Sequence, residues 1–340
     1  MFCRLKPAYS CVPSSVNIVR RLGVAGLALL LQFVAFQDLP AQSTTPGNGP
    51  EGDYHPRLMF RTTEDFTRWL SGPFRPSDEE PLATDRPDFT EASSVVGRGR
   101  VMLESGYTFV HDSNNETRTD EHVLPEFLWR IGLTKNIELR MVLPNYVNSL
   151  EIDRVTEERT RTVGATDLDL GFKFQLLQED GWIPELAAIA TLSVPTGSTP
   201  FRSRRTQPKT NLLYGWDITE DWSIAGSTGF AYLYETGFQT FDTVGVGNPA
   251  HFIVNTTEDG FAQAHQSVTT GISLAEKVGM YLEWFAFFRH GSEEDRPEHY
   301  ADGGLTYQFT PNFQVDWRIG FGLVDHAADM FTGTGFAIRW

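Results

Sequence analysis

Cysteine is almost missing from this chain of 340 residues, and the only two, Cys3 and Cys11, sit near its beginning. Everything after them can form no disulfide, no cysteine-ligated zinc site and no thiol nucleophile. Histidine is sparse as well, with 8 residues scattered and none at helical zinc spacing. No run of about 18 apolar residues occurs beyond the N-terminal region, which argues against a bundle of membrane-spanning helices. Basic residues are outnumbered, 28 Lys and Arg against 44 Asp and Glu, for a net charge of -16. That sign disfavours nucleic acid as a partner. No glycine-rich phosphate loop is present, so nothing points to nucleotide-driven work, and no cofactor or metal is expected. The mean hydropathy of -0.28 does not exclude a membrane barrel, because alternating lipid-facing and lumen-facing residues average out.

What is present begins with a leader. Arg4, Lys6, Arg20 and Arg21 precede the apolar stretch Leu22 to Phe36, and Ala41 follows as a small residue at a cleavage point. The apolar stretch has the length of a signal-peptide core and is short for a spanning helix. Residues 1–41 therefore read as a signal peptide, with an N-terminal anchor as the alternative. The leader holds four of the 28 bases and one of the 44 acids, so the remainder carries 24 against 43, a net of -19.

Residues 42–99 read as an N-terminal arm. Gln42 to Gly52 is rich in Ser, Thr, Pro and Gly, Thr63 to Leu70 fits one short helix, and prolines keep the rest extended. From residue 100 onward a period of two takes over. In Phe313 to Leu323 one face carries Phe313, Val315, Trp317, Ile319, Phe321 and Leu323, and the other Gln314, Asp316, Arg318, Gly320 and Gly322. Asp167 to Leu177 and Asn136 to Leu143 repeat the pattern, so each segment is a strand with one greasy and one wet face. About twelve such segments occur: 100–111, 122–132, 136–144, 166–177, 183–195, 207–216, 222–235, 260–274, 278–289, 299–309, 313–323 and 331–340. Each is close to the length of a tilted strand crossing a bilayer. The connections alternate short turns with long polar loops, among them 112–121, 145–165 and 236–259. Trp182, Trp216, Trp222 and Trp340 fall at the short-turn ends, where an interfacial aromatic girdle belongs. The fold class is thus all-β, a transmembrane antiparallel up-and-down barrel over residues 100–340. Its place is the outer membrane of a Gram-negative-type bacterium. Trp340, the last residue of an alternating strand, suits recognition by the barrel-insertion machinery. The expected contacts are outer-membrane lipid outside and a small-molecule solute inside.

Several stretches carry a resemblance. They are Thr84-Asp85-Arg86-Pro87-Asp88-Phe89-Thr90-Glu91, Leu103-Glu104-Ser105-Gly106-Tyr107, Leu124-Pro125-Glu126, Arg130-Ile131-Gly132-Leu133-Thr134, Ile137-Glu138-Leu139-Arg140, Asp167-Leu168-Asp169-Leu170-Gly171 and Val194-Pro195-Thr196-Gly197. Over residues 84–340 the chain resembles the bacterial family labelled MetA-pathway of phenol degradation. That resemblance implies an outer-membrane barrel with loose links to uptake or export of small organic molecules, and no catalytic residues.

The wet faces collect Glu104, Glu126, Glu138, Asp167, Asp169, Glu283, Asp302 and Asp316 together with Arg130, Arg140, Lys173, Arg318 and Arg339. Buried charges need partners, so a salt-bridge lattice across the lumen is expected, acting as a filter or as a stabilising polar core. Asp85, Arg86, Asp88 and Glu91 lie just before the first strand and either plug the lumen or belong to a free periplasmic linker. The functional reading is a passive channel or transporter for small molecules, with small aromatic or hydrophobic compounds as one solute class. The alternative is a structural or surface-interaction barrel. A minor alternative is an outer-membrane lipid hydrolase. It rests on His265 and Ser267 sharing a strand face, though no Asn lies on the predicted next strand to orient the histidine. Asp167 and Asp169 alone fall far short of the oxygen ligands calcium needs.

Overall fold

The computed structural model describes residues 62–340, apart from Pro76, Asp78, Pro200, residues 242–251 and residues 293–294. The leader and the start of the arm lie outside the described residues. Helix α1 (Thr63–Leu70) has the bounds expected from the sequence. Its start is a reciprocal cap, with the Asp65 N–H donating to Thr62 Oγ1 and the Thr62 N–H to Asp65 Oδ2. The unit that contains the barrel begins at Leu70.

Fourteen strand segments follow: β1 (Val101–Ser113), β2 (Thr117–Gly132), β3 (Ile137–Leu143), β4 (Tyr146–Asp153), β5 (Arg159–Ala165), β6 (Leu168–Leu177), β7 (Glu185–Val194), β8 (Gln207–Thr219), β9 (Trp222–Phe241), β10 (Phe252–Ala275), β11 (Val278–His290), β12 (Glu298–Thr310), β13 (Phe313–Gly322) and β14 (Met330–Arg339). They make twelve barrel strands, because β3 with β4 and β5 with β6 are single strands broken in the middle. The long β2 pairs with β3 through one half and β4 through the other. In turn β3 pairs with β6, and β4 with β5. Pro144 falls at the first break, where a residue without an N–H cannot extend the ladder. All pairings are antiparallel between chain neighbours, and β1 pairs with both β2 and β14, which closes the sheet.

Alternation sorts the faces. Lys173 is fully buried, whereas Phe172 and Phe174 on either side are 42% and 37% exposed. The apolar face therefore points out of the barrel and the charged face in. The reverse arrangement, a soluble barrel with an apolar interior, is excluded by this parity.

The expected loop lengths need correction at one end. Residues 145–165, expected as a long polar loop, are mostly the hairpin β4–β5, and the expected loop 112–121 shrinks to a turn between β1 and β2. The ladders of β9 and β10 likewise run on to Phe241 and from Phe252. The reason is physical. Above the apolar belt the outer face of a strand is no longer uniformly apolar, so the alternation that marks a strand weakens while its hydrogen bonds continue.

Candidate functional site

The arm from Glu79 to Gly99 is the main content of the lumen. It enters at the short-turn rim, where the Leu82 N–H donates to Pro311 O at 2.8 Å and Glu79 takes the Arg100 guanidinium and the Asn312 amide. It turns back near residues 88–91 and leaves at the same rim, where the Gly99 N–H donates to Gly132 O. Between these points it bonds to side chains of β1, β2, β3, β6, β7, β8, β10, β11 and β13. One segment can reach strands on all sides of a closed sheet only from inside it.

Asp85 is the hub. Its carboxylate faces Arg130 of β2 at 3.2 Å, Lys173 of β6 at 3.0 Å and Arg140 of β3. It also accepts the Ala92 N–H, which folds the arm back on itself. Glu104 accepts Arg130 at 3.0 Å and the Asp85 N–H. Glu138 accepts Arg130 at 2.9 Å, Arg140 at 3.0 Å and the Val96 N–H. Glu91 takes a second donor of Arg140 and the Asn211 amide. Three cations thus meet four carboxylates, two of them supplied by the arm. Burial opposes ionisation of Asp85, but Arg130, Arg140 and Lys173 outweigh it and hold the carboxyl below the usual range.

Arg86 points to the other side, between Glu126 of β2 at 2.8 Å and Asp316 of β13 at 3.3 Å. Gly106 and Gly335, paired across β1 and β14, form its slot. A Cβ at either position would lie 2.4 Å from a guanidinium atom.

The turn of the arm is held by Glu283 of β11, whose carboxylate accepts the N–H groups of Phe89 and Thr90 and the Thr90 hydroxyl. The Thr90 hydroxyl also meets Ser267 Oγ at 2.6 Å, and Ser267 in turn meets Ser227 Oγ at 2.7 Å. The Phe89 ring stacks on Phe285 at 4.6 Å and meets Phe287 and His265 edge-on. Phe285 stacks in turn on Tyr300, beside Phe331 and Ala327.

Each charge singled out from the sequence has a definite place. Glu104, Arg130, Glu138, Arg140 and Lys173 converge on Asp85. Glu126 and Asp316 converge on Arg86. Arg318 donates not to Asp316, its neighbour on the face, but to Pro87 O and Thr108 Oγ1. Asp302 accepts the Tyr281 hydroxyl. Three others lie apart. Asp169 pairs with Lys209, Asp167 holds Gly197 and Ser203 of the β7–β8 loop, and Arg339 holds Asn312 and Glu80 O at the short-turn rim. The expected lattice across the lumen is routed instead through the arm, because wall side chains of a twelve-stranded barrel do not span it. The tryptophans sit at the short-turn end, Trp216 donating to Trp182 O and Trp222 to Thr270 Oγ1.

Two parts of the site escaped the sequence reading. The inward Phe285 and Phe287 were legible only from their parity with Glu283. Asn211 reaches His265 Nε2 at 3.1 Å from β8, two strands away, across Gly229 of β9. A Cβ at Gly229 would fall 2.0 Å from the imidazole. The adjacent strands β9 and β11 carry no Asn, and the histidine's partner comes instead from one strand further, yet the Ser267 hydroxyl is engaged by Thr90 and Ser227 and not by His265. A nucleophile without a base within hydrogen-bond reach is not activated.

Two cavities flank the turn of the arm. One of about 430 Å³ opens at the short-turn side beside Arg86, Asp88, Asp217, Trp222 and Tyr281. One of about 380 Å³ lies on the other side beside Phe89, Ile189, Lys209, Asn211, His265 and Phe287. Asp88 lines the first. Burial and then the Glu283 and Asp302 carboxylates push its carboxyl well above the usual range. The sign follows. A raised docked value adds stability that is complete below about pH 3.9, the unperturbed value, and is lost as pH rises through the raised one. The turn of the arm should release more often at neutral than at acid pH. Current fluctuations in a planar bilayer should rise with pH, and Asp88→Asn should flatten that rise. An unchanged profile in the variant would remove Asp88 as the cause.

The residues that build this site coincide with the matched region of a family model. Residues 84–340, from the arm's Thr84 to the last strand, match the family described as "Putative MetA-pathway of phenol degradation". No curated protein matches the chain. Among solved structures, an outer membrane channel from Pseudomonas putida F1 is 12% identical, with 73% of this chain and 98% of that one covered at a TM-score of 0.50. The translocator domain of the autotransporter NalP from Neisseria meningitidis is also 12% identical, with 72% and 90% covered at a TM-score of 0.50. At such identities these likenesses concern the fold, a closed antiparallel barrel of the outer-membrane type. With its arm motif, its twelve strands and its matched region in agreement, the chain belongs to the family of the MetA pathway of phenol degradation.

Proposed function

We propose that this chain is a passive outer-membrane conduit for small molecules, kept narrow by its own arm, with small aromatic or hydrophobic compounds as its solutes. One observation carries the reading: the turn of the arm stands between two cavities, and the outer one combines rings with hydrogen-bonding groups. Phe89, Phe287, Ile189 and the His265 ring offer apolar and edge-on contacts, while Asn211, Gln263 and Lys209 offer polar ones. A volume of about 380 Å³ falls within the range of small-molecule sites. The nearest charges are paired, Lys209 with Asp169 and Arg140 with Glu91, which favours neutral solutes. The residues that would act in hydrolysis are not coupled, so a transport role without catalysis fits better.

The test is liposome swelling with small aromatic alcohols against sugars of similar mass, with conductance recorded in parallel. Aromatic solutes should enter faster. The conductance should be low, with a weak cation preference from the chain's net charge of -16 that fades as the Debye length shrinks from about 8–10 Å with added salt. A large anion-selective conductance would overturn the reading. No solute entry, with or without the arm, would favour a structural or surface-contact barrel.

A further inference from the structure

The outer face of the hairpin β4–β5 and its neighbours departs from the rest of the barrel's exterior. Register fixes which side chains share that face. His111 of β1 stands opposite Asp120 of β2, then Leu150 of β4, then Arg161 of β5. The next row outward is Ser113, Arg118, Ile152 and Arg159. The row below is Phe109, His122, Asn148 and Val163. Alternation puts all three rows outside, since Val110, between Phe109 and His111, packs against the inner aromatic cluster. The lowest row is interfacial in character, with His122 against Phe109 and accepting or donating to the Tyr107 hydroxyl at 2.8 Å.

Above that aromatic step the face carries Arg118, Arg159 and Arg161, all exposed, around the apolar Leu150, Ile152 and Val163. Its one acid is Asp120, bonded to His111 and Arg118. Arg161 is aimed by Asn148, whose Oδ1 accepts its Nε at 2.9 Å, which leaves the guanidinium's outer fork free of that bond. Nearby acids turn elsewhere. Asp153 accepts the N–H groups of Val155 and Thr156 within its turn, Glu151 lies on the opposite face, and Glu157 and Glu158 sit in the turn beyond Arg159. In a chain of net charge -16, an outward patch with three arginines and one carboxylate is a local reversal of sign.

We infer that this face binds a phosphorylated glycolipid of the outer leaflet, with acyl chain along Leu150, Ile152 and Val163 and phosphate on Arg118, Arg159 and Arg161. The match is chemical. Guanidinium forks pair with phosphate oxygens by charge-assisted, bidentate hydrogen bonds, and the apolar step between the arginines suits the lipid part of the same molecule. A soluble anion would have no use for Leu150 and Ile152, and a bare acyl chain none for the arginines. The patch lies outside the barrel, so this inference stands or falls apart from any transport through the lumen.

The experiment uses the full chain, purified in non-ionic detergent, titrated with lipopolysaccharide that bears its lipid phosphates. Competitors are the same glycolipid stripped of phosphate, phosphatidylglycerol and inorganic phosphate. The triple variant Arg118→Gln, Arg159→Gln, Arg161→Gln should bind roughly tenfold or more weakly, from the loss of several charge-assisted bonds, and Leu150→Ser with Ile152→Ser should also weaken binding. Arg296→Gln, an exposed arginine on another loop, should change nothing. Heat-shifted gel mobility verifies folding, and Arg159→Gln alone, at the edge of the turn, serves if the triple variant does not fold. Equal binding by the arginine variants would overturn the inference. So would equal binding of the stripped glycolipid, or full competition by phosphatidylglycerol or inorganic phosphate.

Discussion

Deleting residues 84–91 should raise the single-channel conductance several-fold. The segment removed contains Asp85, Arg86, Asp88, Phe89, Thr90 and Glu91, which together make the contacts to β2, β3, β6, β11 and β13 that fill the middle of the lumen. A twelve-stranded barrel is wider than the eight-stranded kind whose wall side chains fill it, so among the described residues nothing else stands ready to close the space. Charge should shift as well. The deletion takes away the Asp85 and Glu91 carboxylates, the Asp88 carboxyl that its surroundings hold toward the neutral form and one guanidinium, leaving Arg130, Arg140 and Lys173 facing only Glu104 and Glu138. The weak cation preference of the intact protein should therefore decline or reverse, since rings of one sign set selectivity. Planar-bilayer recordings at two salt concentrations measure both effects, and heat-shifted mobility confirms that the barrel has formed. Unchanged conductance would mean that the arm behaves as a free periplasmic linker in the membrane.

Asp85→Asn should be the most costly single substitution in the site. Removing one partner of a buried ion pair costs about 3–5 kcal/mol, because the remaining charges stay buried without compensation. Here one carboxylate serves three cations, at 3.2 Å from Arg130 and 3.0 Å from Lys173 and in contact with Arg140. The loss should appear as a lower midpoint of urea unfolding in lipid or detergent. Its pH dependence has a defined sign. The docked value of Asp85 is depressed, so the stability it adds is present above the unfolded value of about 3.9 and is lost as pH falls through the docked one. The difference between parent and variant should be full at neutral pH and vanish only in strong acid. Conductance should rise too, because the hub is also the arm's main anchor. A variant of parental stability and conductance would show that the hub's other pairs, Arg130 and Arg140 with Glu138, suffice.

These outcomes bear on how the polar lumen is organised. The arm supplies Asp85 and Glu91 to cations of β2, β3 and β6 and Arg86 to carboxylates of β2 and β13. The wall alone is therefore incomplete, and the arm is part of the electrostatic design of the barrel. Its two halves are held differently. The hub is dense in ion pairs, whereas the turn at Phe89 and Thr90 hangs on one carboxylate, two hydroxyls and ring contacts. Motion that opens a path is expected first at the turn.

Much of this was written locally in the chain. Phe313 to Leu323 announces a strand, its two faces and its inward Asp316 and Arg318, because a period of two needs only neighbouring residues to be read. The same local rule located Lys173 among outward phenylalanines and the number of strands. It misjudged residues 145–165, where the outer face mixes Leu150, Ile152 and Val163 with Asn148, Arg159 and Arg161 and the period of two is diluted. Other features were decided by closure of the sheet. Whether Asp85, Arg86, Asp88 and Glu91 meet water or the lumen cannot follow from their spacing, since either environment solvates them. Only a barrel wide enough to admit the arm brings them to Arg130, Arg140, Lys173 and Asp316. The approach of Asn211 to His265 over Gly229, and of Arg118 to Arg161 across β2, β4 and β5, likewise depends on register between strands distant in sequence. Side-chain alternation is a property of one strand, while charge pairing is a property of distances that exist only once twelve strands have closed.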